Sequence, residues 1–404
     1  MFRHKPEYRD YGMNGTEPLK IKHHSLTGRI TLRVMYDAFR AVRKNRGAAG
    51  VDRVSIEMFE ANLAQNLDRL MRELKTGTFK PLPARRKYID KGGGKKRPLG
   101  IPAVRDRVAQ EVLRRLLSPL FEPLFHDQSY GFRPQRSCHD ALEKVAECRK
   151  AGRRFVLDAD IQGFFDNIPF EVIMTGLRNV IADGNILTLV QRFLTAGVME
   201  DGVLYPTTVG TPQGGVLSPL LANIALNFLD WKLHEDKLSF VRYADDFVVL
   251  CWSKRRAEEA RQLVESCLLE LGLKLSPEKT KVTTFCEGFL FLGFDFHQNA
   301  CTMRQKSVEK YKDRIRELTV RCHNLDSKAI ARINAMIRGV GRYFATSFST
   351  VNSQFRDLDR WTRKRLRCMK LKRISDSDNY RLKNKHLHRM GLISLRDFLP
   401  PPDT

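Results

Sequence analysis

The stretch from 240 to 250 reads FVRYADDFVVL, in which two adjacent aspartates, Asp245 and Asp246, separate two apolar runs. Short apolar runs on both sides of turn-forming residues predict a buried β-hairpin. Aspartate is common in turns because its carboxylate bonds nearby backbone N–H groups, yet two neighbouring carboxylates repel each other in a partly dry setting. A bound divalent cation removes that repulsion, since Mg²⁺ takes oxygen ligands that include one or two protein carboxylates. The hairpin alone leaves a plain turn and a metal site as equal alternatives.

The charge of the chain indicates a nucleic-acid-binding protein. The 404 residues carry a formal net charge of +25, which exceeds what solubility needs and favours binding to polyanions through release of their counterions. Residues 155–250 nevertheless contain only 5 Lys and Arg against 12 Asp and Glu, whereas residues 303–404 contain 25 against 10. An acidic centre beside basic arms fits a metal-dependent site inside a nucleic-acid clamp.

Composition also limits the class of protein and its location. A hydrophobic content of 42% and this length predict a globular protein of two or three domains. The polar N-terminus does not resemble a signal peptide and no apolar run reaches the length of a membrane span, so we expect a cytoplasmic protein with no membrane partner. The eight cysteines are scattered, without C-x-x-C or zinc-type Cys/His spacing, and are expected to be reduced thiols. The sequence does not indicate an oligomeric state.

Periodicity predicts the order of the main elements. Helices are expected from about Leu32, over 55–75 and 105–125, and strands over 84–90 and 155–161. Between 155 and 296 the order is strand, helices, hairpin, helix and strand, which is typical of a split βαβ antiparallel sheet with helices on one face. Three further helices are expected between 305 and 370. The prediction is an α+β protein.

Three basic segments are candidates for contact with nucleic acid. A hairpin turn, KGGGKKRP, places Lys91 and Arg97 beside three glycines, which fits either a phosphate-binding loop or a solvated turn. In SYGFRPQRS, Arg133 and Arg136 stand among aromatic residues, which fits either stacking on single strands or a packed loop. The last predicted helix carries five cations at helical spacing, for which phosphate contact is favoured over a solvated face, because a solvated face normally mixes signs; they are Arg356, Arg360, Arg363, Lys364 and Arg367.

A third carboxylate could complete a metal site with the hairpin. The strand FVLDADI carries Asp158 and Asp160 on one face, because residues in a strand alternate sides, and Asp166 lies beyond its end. If this strand lies beside the hairpin, Asp160 comes close to Asp245. Such a group is what two-metal phosphoryl transfer requires, with one metal activating a 3′-hydroxyl and the other stabilising the leaving pyrophosphate.

The motifs in their order resemble those of a bacterial group II intron-type reverse transcriptase. DADIQGFFDNI, TPQGGVLSPLLANI, YADD, SPEKTKV and FLGF are similar to the palm motifs of that family. Upstream, NRGAAGVD, KKRPLGIPAVRDRVAQ and SYGFRPQRS are similar to its finger motifs, and INAMIRGVGRYFA is similar to its maturase, or thumb, domain. The resemblance covers about 25–370. It implies a right-hand polymerase with fingers, a palm built on the split βαβ sheet, and a helical thumb.

The resemblance implies domains and site residues. The expected domains are an N-terminal extension (1–25), fingers (26–154), the catalytic palm (155–300), a helical thumb or maturase domain (301–375) and a C-terminal tail (376–404). Asp160, Asp245 and Asp246 are expected to be catalytic and to bind two Mg²⁺ ions, or Mn²⁺, with the carbonyl of Ile161. The expected deoxynucleotide pocket consists of Lys91, Arg97, Phe165, Gln213, Gly214 and Lys279. Phe165 stands where the family blocks a ribose 2′-hydroxyl, and Phe291, Leu292 and Gly293 form the expected primer grip, while Asp166 is expected to cap the helix that follows it.

The function implied is RNA-directed DNA polymerase activity by two-metal-ion nucleotidyl transfer. The expected partners are an RNA template, a DNA or RNA primer, dNTPs and an intron or other structured RNA. The sequence ends at LPPPDT without the Cys/His cluster of an H-N-H endonuclease, so cleavage of a second target strand by that route is not expected. Two other roles stay open: an RNA-binding maturase that promotes intron splicing, and a domesticated relative acting in phage defence, CRISPR spacer acquisition or DNA repair.

Overall fold

The computed structural model describes residues 22–90, 96–211, 214–375 and 377–401. By its internal contacts the chain divides into two units, one formed by Met1–Ser137, Ala159–Val249 and Glu258–Lys281, the other by Cys138–Asp158, Leu250–Ala257 and Val282–Thr404. The predicted domain boundaries stay predictions, because units defined by contacts need not coincide with functional domains. Among the described residues, no helix combines the length and the apolar character needed to cross a bilayer.

The first half of the chain is mostly helical, with one β-hairpin. Its elements are α1 (Leu32–Lys44), α2 (Ile56–Ala61), α3 (Leu63–Lys75), β1 (Ala84–Asp90), β2 (Lys96–Ile101), α4 (Val104–Phe121), α5 (Cys138–Lys150), β3 (Phe155–Asp160), α6 (Phe164–Asn167), α7 (Phe170–Val180) and α8 (Gly184–Leu194). Helix α1 begins where the Thr31 hydroxyl accepts from the N–H of Val34. Met35 and Phe39 of its apolar face are buried, whereas Leu32 is 45% exposed. The single helix predicted over 55–75 is two helices, because Asn62 leaves the helical region with φ −123° and ψ 43°.

The second half holds the predicted hairpin, a long helix before it and a helical C-terminal part. The elements are β4 (Val198–Glu200), β5 (Val203–Tyr205), α9 (Ser218–Glu235), β6 (Ser239–Tyr243), β7 (Asp246–Cys251), α10 (Lys254–Glu270), β8 (Lys281–Thr284), β9 (Phe289–Phe291), β10 (Phe294–Phe296), β11 (Cys301–Met303), α11 (Gln305–Leu318), α12 (Ser327–Phe344), α13 (Asn352–Leu371), α14 (Asp378–Arg381) and α15 (Asn384–Arg389). Helices α11, α12 and α13 confirm the three helices predicted between 305 and 370.

The central sheet has the order β6–β7–β3–β8. With the strands numbered in chain order this is 2-3-1-4, so the first strand lies between the hairpin and the last strand, as the split βαβ pattern requires. The order of motifs in the sequence therefore predicted the topology correctly. It brings the C-terminal end of β3 to the level of the turn between β6 and β7.

A second sheet carries the glycine-rich hairpin. Strands β1 and β2 pair antiparallel from Arg85 opposite Ile101 to Asp90 opposite Lys96, and β1 also pairs in parallel with β4, which pairs antiparallel with β5. The sheet order is β2–β1–β4–β5. Residues 91–95 of the turn, including Lys91, lie outside the described residues.

The C-terminal residues pack on the helices before them. Asn334 of α12 donates from its amide to the Gly391 carbonyl at 2.7 Å and accepts from the Ile393 N–H at 3.2 Å. The N–H of Leu395, a fully buried residue, donates to Asp359 of α13 at 2.8 Å. The region predicted as a tail thus contains α14, α15 and a 3₁₀ turn that complete the core around α12 and α13.

Candidate catalytic site

Asp160 ends strand β3 beside the SPEKTK segment. Its carbonyl accepts from the Ser276 N–H at 2.8 Å, and the next two residues of the chain continue the pairing with Lys274 and Leu275. This pairing brings Lys279 round to the carboxylate, and its Nζ lies 2.8 Å from Asp160 Oδ2. The Asp160 side chain is about one quarter exposed, so the ion pair faces solvent and is reachable by a ligand.

Asp245 lies at the turn of the β6–β7 hairpin, close enough to Asp160 for their charges to interact. Burial raises the pKa of Asp245 and the Asp160 carboxylate raises it further, whereas Arg97 and Lys279 act in the opposite direction. Two carboxylates from separate segments therefore converge. Arg97 of the β1–β2 hairpin and Lys279 of the SPEKTK segment lie nearby. Asp246 is the first residue of β7 and is half-buried.

The donor set fits a divalent cation in part. Asp160 and Asp245 supply carboxylate oxygens and Ile161, directly after Asp160, supplies a backbone carbonyl, which are the hard ligands that Mg²⁺ prefers. Burial and, to a smaller extent, repulsion from Asp160 raise the pKa of Asp245, and a dication would relieve both by stabilising the ionised carboxylate. Across residues 22–90, 96–211, 214–375 and 377–401, however, no three His, Cys, Asp or Glu side chains are grouped as a metal site. Asp160, Asp245 and Asp246 therefore stay a predicted set of metal ligands, and in this geometry Lys279 contacts Asp160.

Phe165 lies in the short helix α6, which contacts the loop that contains Gly210 and Gly214; we call this segment the glycine loop. Phe165 is 9% exposed, and its ring packs edge-to-face on Phe164 with centroids 5.3 Å apart. Its carbonyl accepts from the N–H of Thr211 at 2.6 Å. Gly210 has φ +85°, and a Cβ there would lie 2.6 Å from the Asp166 carbonyl oxygen, so only glycine lets the loop approach this turn. Asp166 does not cap the following helix α7, whose N-cap residue is Pro169 with no side-chain bond.

At Gly214 the same loop lies against the hairpin formed by β1 and β2. It has φ +111°, and a Cβ there would lie 2.5 Å from the carbonyl oxygen of Gly100 in β2. The amide oxygen of Gln110 in α4 accepts from the N–H of Val216 at 2.7 Å and from that of Leu217 at 3.3 Å. The loop is thereby fixed to strand β2 and helix α4. Gln213 lies outside the described residues, as Lys91 does.

The structure corrects the expectation for Arg133. Arg133 is 7% exposed, and its guanidinium donates to Glu122 and to the carbonyls of His126 and Ser129 at 2.6 and 2.7 Å. The donors of this side chain bind groups of its own loop and are turned away from solvent. The structure therefore agrees with the packed-loop alternative and not with a phosphate contact. Arg136 bonds Asp127 and stacks on the ring of Tyr130 at 5.6 Å.

The predicted basic ridge of α13 is divided by burial. Arg367 is 7% exposed and donates to the Leu382 carbonyl at 2.9 Å and to Asn384 Oδ1 at 2.6 Å, so it packs the C-terminal residues rather than facing a ligand. Arg356 and Arg360 are exposed, and Arg363 and Lys364 are half-buried. Arg360 and Lys364 line a groove of about 360 Å³ together with Lys312 of α11 and the indole of Trp361. We call it the α11–α13 groove, and together with the exposed Arg356 it is accessible to a polyanion.

The FLGF turn is held by α12. Leu292 and Gly293 both have positive φ, +46° and +86°, and form the turn between β9 and β10. The Tyr343 hydroxyl donates to the Leu292 carbonyl at 2.7 Å. Phe291 is 1% exposed, so its ring packs in the core, whereas Leu292 and Gly293 are partly exposed. The primer grip stays a prediction.

Three groups that shape the site were not among the predicted site residues. Gln110 holds the glycine loop, Gly131 lies against the YADD turn, and Arg242 lies beneath it. Their sequence signal is weak: an amide on a buried helix, a glycine in a loop, and a cation inside an apolar strand. Gln110 and Gly131 act on segments far away in sequence, and Arg242, which is close to the turn in sequence, depends on Asp230 of α9 as its partner. Local patterns reveal none of these contacts.

Comparison with known proteins identifies the family of this chain. Residues 89–296 match the family described as reverse transcriptase (RNA-dependent DNA polymerase), and residues 308–391 match the group II intron maturase-specific domain. Protein YkfC of Escherichia coli (strain K12) is 38% identical over 300 residues, which cover 64% of this chain and 78% of YkfC. The group II intron-encoded protein LtrA of Lactococcus lactis subsp. cremoris is 32% identical over 356 residues, covering 71% of this chain and 58% of LtrA. The chain belongs to the reverse transcriptase family and, within it, to the group II intron type that couples an α+β right-hand polymerase to a maturase-specific domain.

Proposed function

We propose that this chain copies RNA into DNA by adding deoxynucleotides to a primer at the site formed by Asp160, Asp245 and Asp246. The observation that carries the proposal is the convergence of Asp160 and Asp245 from two segments, with Arg97 and Lys279 in electrostatic range of Asp245. Two carboxylates suit a cation, and two basic side chains suit a triphosphate that accompanies it.

Reverse transcriptases generally use divalent metal ions. In this chain Asp160, Asp245 and the Ile161 carbonyl would hold Mg²⁺ or Mn²⁺, with Asp246 completing the set. Bound there, such ions lower the pKa of a primer 3′-hydroxyl and stabilise the charge of the departing pyrophosphate. The protein supplies the orientation of the carboxylates and a half-buried setting in which their charge is strongly felt.

The side chains around the carboxylates bind and select the nucleotide. Arg97 on β2 and Lys279 on the opposite segment present positive charge to the triphosphate. Gly214 lets the backbone of the loop lie against β2, the strand that carries Arg97, since a Cβ there would overlap the Gly100 carbonyl oxygen. Phe165, fixed by its packing on Phe164, excludes a ribose 2′-hydroxyl by its bulk, so dNTPs are the substrate.

The decisive experiment is primer extension by Asp245→Asn on an RNA template. Asparagine keeps the size of the side chain but removes its charge, so we expect extension to fall by at least about 10³-fold, as loss of a metal ligand implies. RNA binding, measured by filter retention, should stay within twofold of the parent because phosphate contacts lie elsewhere. Asp201→Asn is the matched control, since Asp201 is exposed on the β4–β5 turn at φ +49°, which asparagine adopts readily. Undiminished extension by Asp245→Asn would refute the proposal.

Binding of a structured RNA is the second candidate function. It is favoured by the maturase-specific match over 308–391 and by the α11–α13 groove, where Lys312, Arg360 and Lys364 surround Trp361. Stacking on an aromatic side chain beside cations is a common mode of binding single-stranded RNA. Splicing of an intron RNA by the Asp245→Asn variant would separate the two roles: splicing without extension supports a maturase, and loss of both activities opposes it.

A further inference from the structure

Arg242 is a fully buried cation three residues before Asp245. It lies in β6, is 0% exposed, and has the side chain of Asp230 from α9 as its counter-ion. The Nε atom donates to Asp230 Oδ1 at 2.7 Å and the Nη2 atom donates to Oδ2, which makes the pair bidentate. A buried charge is tolerated only when it is paired and its remaining donors are satisfied, so the third donor group, Nη1, needs partners.

The Nη1 group of Arg242 bonds the turn that carries the catalytic carboxylates. It donates to the Ala244 carbonyl at 2.9 Å and to Asn223 Oδ1 at 3.0 Å. The Ala244 carbonyl belongs to the peptide group that leads into Asp245. Ala244 has φ +60°, a left-handed conformation that alanine adopts only when surrounding contacts impose it. The guanidinium therefore fixes the orientation of the peptide plane on which Asp245 is carried.

The loop of residues 128–131 packs on the other side of this turn. Asn223 donates from Nδ2 to the Gly131 carbonyl at 2.8 Å. Gly131 lies so close to the turn that a Cβ there would be 2.4 Å from the Ala244 nitrogen. The Arg242 carbonyl accepts from the Tyr130 N–H at 2.8 Å, and its own N–H donates to the Gln128 carbonyl at 2.9 Å. The turn is thus held between Arg242 and the 128–131 loop.

We propose that Arg242 is a positioning residue that sets the orientation of Asp245, and so the affinity and geometry of its cation site, through the Ala244 carbonyl. The inference rests on the proposed function, because it assigns Arg242 a role in the same site. Only arginine can bind a carboxylate with two donors and still aim a third at a carbonyl; a lysine in its place keeps the charge for Asp230 but has no planar fork with which to reach both groups.

The test compares Arg242→Lys with the parent full-length chain. We expect kcat for primer extension to fall by about 10- to 100-fold, the usual cost of removing an outer support of a metal site. The Mg²⁺ concentration for half-maximal rate should rise at least about fivefold, and KM for template and primer should stay within twofold. Mn²⁺ binding, followed by electron paramagnetic resonance with template and primer present, should weaken in parallel. That readout does not depend on turnover.

Arg192→Lys is the matched control. Arg192 is a half-buried arginine in the same unit that donates to the carbonyls of Gly77 and Phe79, and it has no contact with the hairpin turn in the part of the chain that the structure describes. The lysine variant should lose stability without a change in Mg²⁺ dependence. If it changes Mg²⁺ dependence as much as Arg242→Lys does, the effect is one of general stability and the inference fails.

Asn223→Ala keeps the test decisive if Arg242→Lys does not fold. It leaves the Arg242–Asp230 pair and the bond from Arg242 to the Ala244 carbonyl in place, and it removes the links from Asn223 to Gly131 and to Arg242 Nη1. We therefore expect a smaller shift in Mg²⁺ dependence in the same direction. Wild-type kcat and Mn²⁺ binding in a folded Arg242→Lys or Asn223→Ala variant would overturn the inference. If Asp245→Asn is inactive in the same assays, the proposed function survives that result. If Asp245→Asn extends primers normally, the proposed function itself has failed.

Discussion

A methyl group added at Gly131 should disturb the catalytic turn more than its size suggests. The Cβ of Gly131→Ala would lie 2.4 Å from the Ala244 nitrogen and 2.9 Å from the Tyr243 carbonyl carbon, whereas ordinary contact begins near 3.4 Å. Both neighbours are backbone atoms, so no side-chain rotation relieves the overlap. The turn or the loop must move by about 1 Å, the difference between contact and overlap.

The magnitude follows from what such a displacement does to chemistry. A misplacement of about 1 Å at a reacting group costs on the order of 10²-fold in rate, which corresponds to about 2.7 kcal/mol of activation free energy. Overpacking costs a further ~1–3 kcal/mol of stability. Since the turn carries Asp245, we expect the rate of extension to fall by about that factor, with only a modest loss of folded protein.

The assay is single-turnover addition of one dNTP to a primer annealed to RNA, at saturating Mg²⁺ and below the unfolding temperature of the variant. Gly184→Ala is the control, because Gly184 begins α8 and a Cβ there meets no atom within 4 Å. That variant should react at the parent rate. A folded Gly131→Ala variant whose rate stays within about threefold of the parent would show that the turn does not need this close approach, against the expectation from orientation.

Three further predictions concern the pocket and the stability of the fold. Phe165→Val should raise incorporation of ribonucleotides relative to deoxynucleotides by at least about tenfold in competition assays, because a smaller side chain admits the 2′-hydroxyl; an unchanged ratio would assign that selection to another residue. Gln110→Leu should raise KM for dNTPs by about tenfold, as two buried N–H groups lose their acceptor; an unchanged KM would show that the loop is held by other contacts. Burial raises the pKa of Asp106 from 3.8 to about 6 in the folded chain, while its carboxylate accepts from the Leu82 N–H at 2.8 Å. The parent should therefore lose stability as pH rises from 4 through 6, and Asp106→Asn, which keeps that acceptor, should exceed it by up to about 3 kcal/mol at pH 8 and by almost nothing at pH 4 in urea unfolding; an equal difference at both pH values would contradict this.

Local pattern predicted much of the architecture correctly. The apolar spacing of α1, α10 and the three helices of the 305–370 region follows the 3.6-residue period, and FVRYADDFVVL forms the hairpin that its apolar runs indicate. The order of elements was enough to predict the strand order of the central sheet, because a split βαβ unit places its first strand between the hairpin and the last strand. The long helix predicted over 55–75 failed at Asn62, where a single residue leaves the helical region.

Charge patterns did not predict correctly which of the basic side chains face a ligand. Arg133 and Arg367 have the sequence spacing of phosphate-binding cations, yet both are buried and bonded to carbonyls of their own neighbourhood. A guanidinium has five donors, and whether they face a ligand or the core depends on which carbonyls the folded chain brings within reach. The sequence contains the donors but not the position of their acceptors.

The sequence by itself determined the family, the strand order and the two aspartates that meet, because periodicity and ordered motifs are properties of short segments. Only the tertiary structure decided what supports those aspartates. Gln110 reaches a loop more than a hundred residues later, and Gly131 and Arg242 meet at one turn from separate segments. Side-chain hydrogen bonds such as these form over about 3 Å and leave no periodic pattern in the sequence. Their partners are therefore set by which segments the folded chain places side by side.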